Sequence, residues 1–305
     1  MKKQRLGNLL LIFTAMIWGT AFAAQRAGVD KIEPFTFIAA RMLLAAVVVG
    51  AVAYVLAKKR GARAHLAPDE RLARRRGTIR GGVACGLFLA AACAFQQIGI
   101  IYTPAGKAGF ITAMYMLIVP IISFFIFRKR QGVRVWLAVA VGVAGLYLLC
   151  VTDGFSLGRG DILVCICAVL FSCHILCCDH YVRLGDPVAI SAIQFVVVFV
   201  ICTVIAVIFE TPTWEKLLSA AVPIAYCGIV SGGVGYTLQI VAQGFTAPAV
   251  ASLLMSLESV FAVIGGALIL GERMTPRELI GCAVMFAAII LVQLPSPVAA
   301  QHPDS

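Results

Sequence analysis

Ten apolar stretches of membrane-spanning length, at about 7–26, 34–57, 81–101, 105–127, 133–151, 160–181, 187–209, 219–243, 247–270 and 277–294, leave this chain little choice of architecture. Each is close to the ~20 residues an α-helix needs to cross a hydrocarbon core about 30 Å thick. Inside lipid every backbone N–H and C=O must be satisfied within the segment or in a closed barrel. Strand-like alternation is absent, so helices are expected. A chain that is 61% apolar and only 13% charged fits the same class.

The stretches form two similar halves. Residues 95–149 overlay 238–292 at a constant offset of 143, which sets Thr103, Arg130 and Arg134 on Thr246, Arg273 and Arg277. The preceding blocks overlay at an offset of 153, with Ala15 on Ala168 and Pro34 on Pro187. Five spans per half is an odd number, so the second half enters the membrane from the other side. The expected fold is an all-α integral membrane protein of ten transmembrane helices in two inverted five-helix repeats, 6–151 and 160–294.

Charge sets the expected orientation. Residues 58–80 carry Lys58, Lys59, Arg60, Arg63, Arg71, Arg74, Arg75, Arg76 and Arg80, and the N-terminus adds Lys2, Lys3 and Arg5. A basic cytoplasmic loop at 58–80, with both termini cytoplasmic, follows from the positive-inside rule. The net charge of +11 is then a topology signal and implies no nucleic-acid partner. Residues 1–24 have the outline of a secretory signal, but Trp18 and Gly19 interrupt the run, and both halves need this span.

All eleven cysteines lie in or at the edge of spans, so no disulfide framework is expected. Cys173, Cys177 and His180 share a helix face, an arrangement open to a soft metal or to plain packing; packing is the expectation, with no metal and no cofactor. Gly82-x-x-x-Gly86 and Gly228-x-x-x-Gly232 predict close helix contacts.

Polar groups in the spans are the candidate site, because a mid-membrane charge costs at least about 2.5–3.5 kcal/mol on insertion scales. Glu258 is the deepest charge. It either serves binding or coupling, or stays protonated or paired with Arg41. Arg41 lies seven residues beyond Pro34, roughly 10 Å along its helix. Lys107 sits near a span end, within reach of the interface. The repeat places Arg41 on Gln194, Gln96 on Gln239 and Tyr115 on Glu258, the last pair at the midplane. His174 is placed to relay protons or to make a helix contact. No phosphate-binding loop, H-E-x-x-H or G-x-S-x-G occurs, so no enzymatic activity is expected.

Several segments resemble the drug/metabolite transporter superfamily in its EamA-type branch. They are Ala15-Met16-Ile17-Trp18-Gly19, then Pro34-Phe35-Thr36-Phe37 with Ala40-Arg41, and Tyr102-Thr103-Pro104-Ala105-Gly106-Lys107 with Pro120. The last is Ser256-Leu257-Glu258-Ser259 with Leu270-Gly271-Glu272, where Ser259 stands at a position many members fill with Pro. The resemblance implies a multi-pass permease of the bacterial inner membrane. The expected activity is secondary-active transport, in the efflux direction, of a small amino acid-like or related organic solute by alternating access. Protons or another ion would be coupled, and the lipid bilayer is the other partner. Substrate-binding candidates are Arg41, Gln96, Lys107, Tyr115, Gln194, Gln239 and Glu258; Glu258 and His174 are the proton-coupling candidates. An uncoupled facilitator and a non-transporting sensor or scaffold are the alternatives.

Overall fold

A computed structural model describes residues 2–61, 67–103, 105–128, 131–150, 158–270 and 275–294. Pro104, Arg130, Gly271, Glu272 and Arg273, the middle of the 58–80 stretch, and the C-terminal tail lie outside the described residues. The helices are α1 (Lys2–Val29), α2 (Pro34–Gly61), α3 (Pro68–Tyr102), α4 (Ala105–Ala113), α5 (Tyr115–Phe125) and α6 (Val133–Cys150) in the first half. The second half holds α7 (Arg159–Tyr181), α8 (Pro187–Phe209), α9 (Trp214–Ser219), α10 (Ala221–Ala225), a π-helical segment (Tyr226–Tyr236) and α11 (Thr237–Gln243). It closes with α12 (Pro248–Met255), α13 (Glu258–Leu270) and α14 (Pro276–Gln293).

Among the described residues eight helices are long and apolar enough to cross a membrane. Two shorter apolar stretches, Val133–Leu148 and Pro248–Ile264, lie where two further spans were expected. Large apolar side chains such as Val47, Val204 and Ile290 are 61%, 53% and 63% exposed, the outward face of a bundle whose solvent is lipid.

The 58–80 stretch is mostly helix and not the loop expected. α2 runs to Gly61, and α3 starts at Pro68 and carries the Arg71–Arg80 cations on its first turns. At 35 residues α3 is roughly 52 Å long, well beyond the bilayer core, so those turns extend past it. The face they mark is called the basic face below.

The halves meet as symmetric partners. α2 packs along α8 and α6 along α14, each pair made of equivalent helices. α3 packs on α7, and in the swapped arrangement the π segment and α11 pack on α1. Gly82 and Gly86 allow the close contact predicted for them. A Cβ on either would lie 2.5 and 2.7 Å from Ile193 and Val197 of α8.

Two helices are broken at equivalent depths. α4 stops at Ala113 and α5 starts at Tyr115; α12 stops at Met255 and α13 starts at Glu258. The breaks tighten to i→i−3 bonds, Met114 N–H to Ile111 O (3.2 Å) and Leu257 N–H to Leu254 O (3.3 Å). No proline stands at either break.

Candidate transport site

The discontinuous helices present their broken turns to the interior, the only depth at which irregular backbone in a membrane is tolerated. Tyr115 and Glu258, the first residues after the two breaks, meet there: Tyr115 Oη donates to Glu258 Oε1 at 3.1 Å. Two residues separated by the repeat offset can touch only near the axis relating the halves, so this bond marks the two-fold. Gly19 of α1 makes the approach possible. A Cβ there would sit 2.6 Å from the Glu258 carbonyl oxygen and 2.8 Å from Ala262 N.

Around this bond lies a cavity. Its walls come from both halves. α1 gives Trp18, Phe22 and Gln25, α2 gives Arg41, and α3, α4 and α5 give Gln96, Thr112 and Tyr115. From the second half come Phe171 and His174 of α7, Ser231 and Tyr236 of the π segment, Gln239 and Glu258. Aromatic walls with a few convergent polar groups are what small-molecule sites are made of.

Arg41 is 4% exposed. Its Nη1 donates to Gln25 Oε1 at 2.9 Å, and its guanidinium lies 5.5 Å from the Phe37 ring centroid. Its Nε is buried with no hydrogen-bond partner. Arg41 and Glu258 make no ion pair with each other among the described residues. Among the described residues the cavity's cation has neutral partners, the Gln25 amide and the Cys93 and Cys227 thiols, and apart from it a carboxyl group is held by a phenol. A buried guanidinium is costly unless an anion joins it.

The π segment explains how Trp18 and Tyr236 reach the cavity. Widening the turn releases carbonyls, and Trp18 Nε1 donates to Ser231 O at 3.2 Å. The Trp18 and Tyr236 rings pack at 4.8 Å between centroids. Gly228 lets the segment lie against α2, with a Cβ position only 2.6 Å from the Arg41 carbonyl oxygen. Such π stretches are concentrated at functional sites.

Of the residues singled out in the sequence, Arg41, Gln96, Tyr115, His174, Gln239 and Glu258 line the cavity. Gln96 Nε2 donates to Thr112 Oγ1 (3.3 Å), and Gln239 Nε2 donates to Gln243 Oε1 (3.1 Å). Gln194 stands behind the wall, 3.0 Å from His174 Nε2. Lys107 lies away from the cavity, 2.7 Å from Asp161 Oδ2 at the end opposite the basic face. Trp18, Gln25, Thr112, Ser231 and Tyr236 were not singled out. Only the cluster of glycines at 228–235 hinted at the unusual turn that presents two of them.

Each end of the bundle carries a tie between the halves, and the two ties are images of one another. Opposite the basic face, Thr103 Oγ1 donates to Asp161 Oδ1 at 3.0 Å. At the basic face, Thr246 Oγ1 bonds Asn8 Oδ1 at 3.0 Å. The offsets 143 and 153 carry Thr103 onto Thr246 and Asn8 onto Asp161. Gly160 and Gly7 are equivalent too, each with its Cβ position within 2.5 Å of the partner threonine Oγ1. The ties differ in charge. Asp161 also accepts from Lys107 Nζ and from Gly158 N–H, both at 2.7 Å, whereas Val250 stands at the position equivalent to Lys107.

A broken-helix pair meeting on a two-fold, beside a polar cavity shared by both halves, defines a two-repeat multi-pass membrane protein of transporter type. The EamA-like transporter family model matches residues 5–151 and 158–294, and the chain belongs to that family. An uncharacterized transporter of Archaeoglobus fulgidus is 28% identical over 96% of this chain and 87% of its own length. The WAT1-related protein At3g02690, chloroplastic, of Arabidopsis thaliana is 27% identical over 94% of this chain and 69% of its own length. The uncharacterized transporter YwfM of Bacillus subtilis is 23% identical over 95% and 94%. A crystal structure of a protein 17% identical superposes with a TM-score of 0.73, covering 94% of this chain and 96% of that one, which supports the fold. The chain is a membrane transporter of this family.

Proposed function

We propose that this chain is a secondary-active exporter of a small organic solute that carries a carboxylate or similar anion, an amino acid-like zwitterion fitting best. The observation that carries the reading is Arg41, a buried cation without an acidic partner on the wall of a cavity shared by both halves. Arg41 takes the anionic group in the bidentate manner a guanidinium favours. Glu258 faces the substrate amine or carries the coupling proton, and Tyr115 orients its carboxylate. Gln96 and Gln239 supply hydrogen bonds, and Trp18 and Tyr236 exclude water. Export is the direction implied by the family resemblance.

Alternating access follows from the two equivalent ties. Opening Thr103–Asp161 exposes the cavity on one side, and opening Asn8–Thr246 exposes it on the other. The basic face is cytoplasmic, with both termini on that side of a bacterial inner membrane, because Lys and Arg are concentrated there. The five-helix repeats 6–151 and 160–294 are the moving units.

The test starts with thermal stabilisation of the purified protein against a panel of amino acids, carboxylates and cationic drugs. Solutes that stabilise are then assayed for pH-driven accumulation in proteoliposomes with wild type and Glu258→Gln. Loss of pH-driven accumulation with exchange retained assigns the proton to Glu258. Weakened affinity for amines with pH dependence intact assigns it to substrate. Normal transport by the variant at every pH removes Glu258 from the site, and wild-type transport indifferent to a proton gradient turns the reading to an uncoupled facilitator.

A further inference from the structure

Three potential metal ligands converge behind the cavity wall, and they are not the set that helical spacing suggested. His180 is exposed and packs edge-to-face against Tyr181, 4.9 Å between centroids. Instead Cys85 of α3 meets Cys177, Cys178 and His174 of α7. Cys85 Sγ lies 3.4 Å from Cys177 Sγ and 3.6 Å from Cys178 Sγ, and Cys178 Sγ lies 3.5 Å from His174 Nε2. One ligand atom each from Cys85, Cys178 and His174 falls within 4.8 Å of the others, and all three residues are buried.

The 3.6 Å between Cys85 Sγ and Cys178 Sγ and the 3.9 Å between Cys178 Sγ and His174 Nδ1 are close to the edges of a coordination polyhedron. With metal–sulfur bonds of about 2.3 Å and metal–nitrogen bonds of about 2.0–2.1 Å, a tetrahedral site has S···S edges of roughly 3.8 Å and S···N edges of roughly 3.6 Å. Gln194 completes the arrangement. Its Oε1 accepts from His174 Nε2–H at 3.0 Å, which leaves the Nδ1 lone pair, 3.9 Å from Cys178 Sγ, for a cation. A metal-binding histidine is ordinarily fixed in this way through its other nitrogen. Thiol and imidazole ligands select borderline or soft cations. Two thiolates, one neutral imidazole and one divalent ion sum to zero charge, which burial within the membrane favours.

We propose that Cys85, Cys178 and His174 form a three-ligand Zn²⁺ site with solvent in the fourth position, and that Gln194 orients His174. Binding releases the two thiol protons of Cys85 and Cys178 to solvent. The ion enters through the cavity, whose wall His174 forms. Because α3 belongs to the first half and α7 to the second, the ion joins the halves and stabilises their contact. The site needs no transported solute and stands whether or not the export reading holds.

The test is metal loading of reduced, full-length protein in detergent. One equivalent of Zn²⁺ should remain per chain after desalting, with a raised melting temperature. Co²⁺ should give thiolate charge-transfer absorption and the visible bands of a tetrahedral site. Cys85→Ser and Cys178→Ser should each abolish the Co²⁺ spectrum while eluting as monodisperse protein. Cys93→Ser, at a cysteine outside the cluster, should keep it. His174→Ala should weaken binding at least tenfold. Absence of stoichiometric Zn²⁺, retention of copper(I) but not Zn²⁺, or a Co²⁺ spectrum that survives in the Cys85→Ser/Cys178→Ser double variant would each overturn the proposal.

Discussion

Replacing Asp161 by Asn should loosen one end of the bundle and leave the other as it was. The Asp161 carboxylate accepts from Thr103, Lys107 and Gly158 N–H, with its side chain only 4% exposed and that of Lys107 26% exposed. Asparagine keeps one oxygen for Thr103 but turns an NH₂ group toward two other donors. Two charge-assisted bonds are lost, at about 1.5–3 kcal/mol each before relaxation, so a net loss of about 3 kcal/mol is expected. At 1.4 kcal/mol per factor of ten, opening at that end should rise about 100-fold. Hydrogen–deuterium exchange read by mass spectrometry reports this directly. Peptides covering 99–103 and 158–164 should exchange about 100-fold faster in the variant, and peptides covering 5–10 and 242–247 should not change. Already in the wild type the second set should exchange faster, because the Asn8–Thr246 tie is neutral and contributes only about 0.5–1.5 kcal/mol. Equal exchange at the two ends, in wild type and variant alike, would refute the assignment of the ties as separate closures.

Other perturbations have equally definite outcomes. Gly19→Ala should destabilise despite a helix-propensity gain of about 1 kcal/mol, because its Cβ would press on the Glu258 carbonyl oxygen at 2.6 Å and overpacking costs about 1–3 kcal/mol; an unchanged melting temperature would contradict the close contact. Tyr115→Phe should preserve folding and alter substrate affinity or pH response together with Glu258→Gln, with non-additive effects in a double-mutant cycle. Glu33, between α1 and α2, is held below the usual carboxylate range mainly by its hydrogen bond from Lys216. Its contribution to stability is therefore present above the unfolded carboxylate value and lost as pH falls through the depressed folded value. Melting curves of wild type and Glu33→Gln should differ at neutral pH and converge in acid. A cysteine placed at Glu70 should be labelled by impermeant reagents only from inside the cell; labelling from outside would reverse the orientation.

Much of this fold was legible because a duplicated membrane bundle repeats its apolar lengths and its polar positions together. The offset that set Tyr115 on Glu258 marks two residues that touch, since equivalent positions near the axis are necessarily neighbours. The same offsets predicted nothing about Thr103 and Asn8, as a threonine or asparagine at a helix end usually reads as a cap. Lys107 was read as a candidate binder, but an acidic partner 54 residues along the chain decides its place. Gln194 was expected to bind substrate, yet which side of His174 it occupies depends on helix rotation, which mean hydropathy does not encode. The breaks at Met114 and at Ser256–Leu257 had no local signal, because i→i−3 bonds and neighbouring helices accommodate them without Pro or Gly. Trp18 was noted but not as a site residue, and Gln25 and Tyr236 escaped notice, because a large ring or amide in a span reads first as packing.

The central claim, that a cavity shared by two inverted halves moves an anionic solute past Arg41, is tested most directly by solute exchange. Proteoliposomes containing purified protein are loaded with a mixture of labelled amino acids and carboxylates, and mass spectrometry follows which labels exchange across the membrane. The account predicts saturable exchange of a small subset of carboxylate-bearing solutes by the wild type, lost in Arg41→Gln protein that still elutes as folded protein. Exchange by Arg41→Gln equal to wild type, or selective movement of solutes with no anionic group, would contradict it.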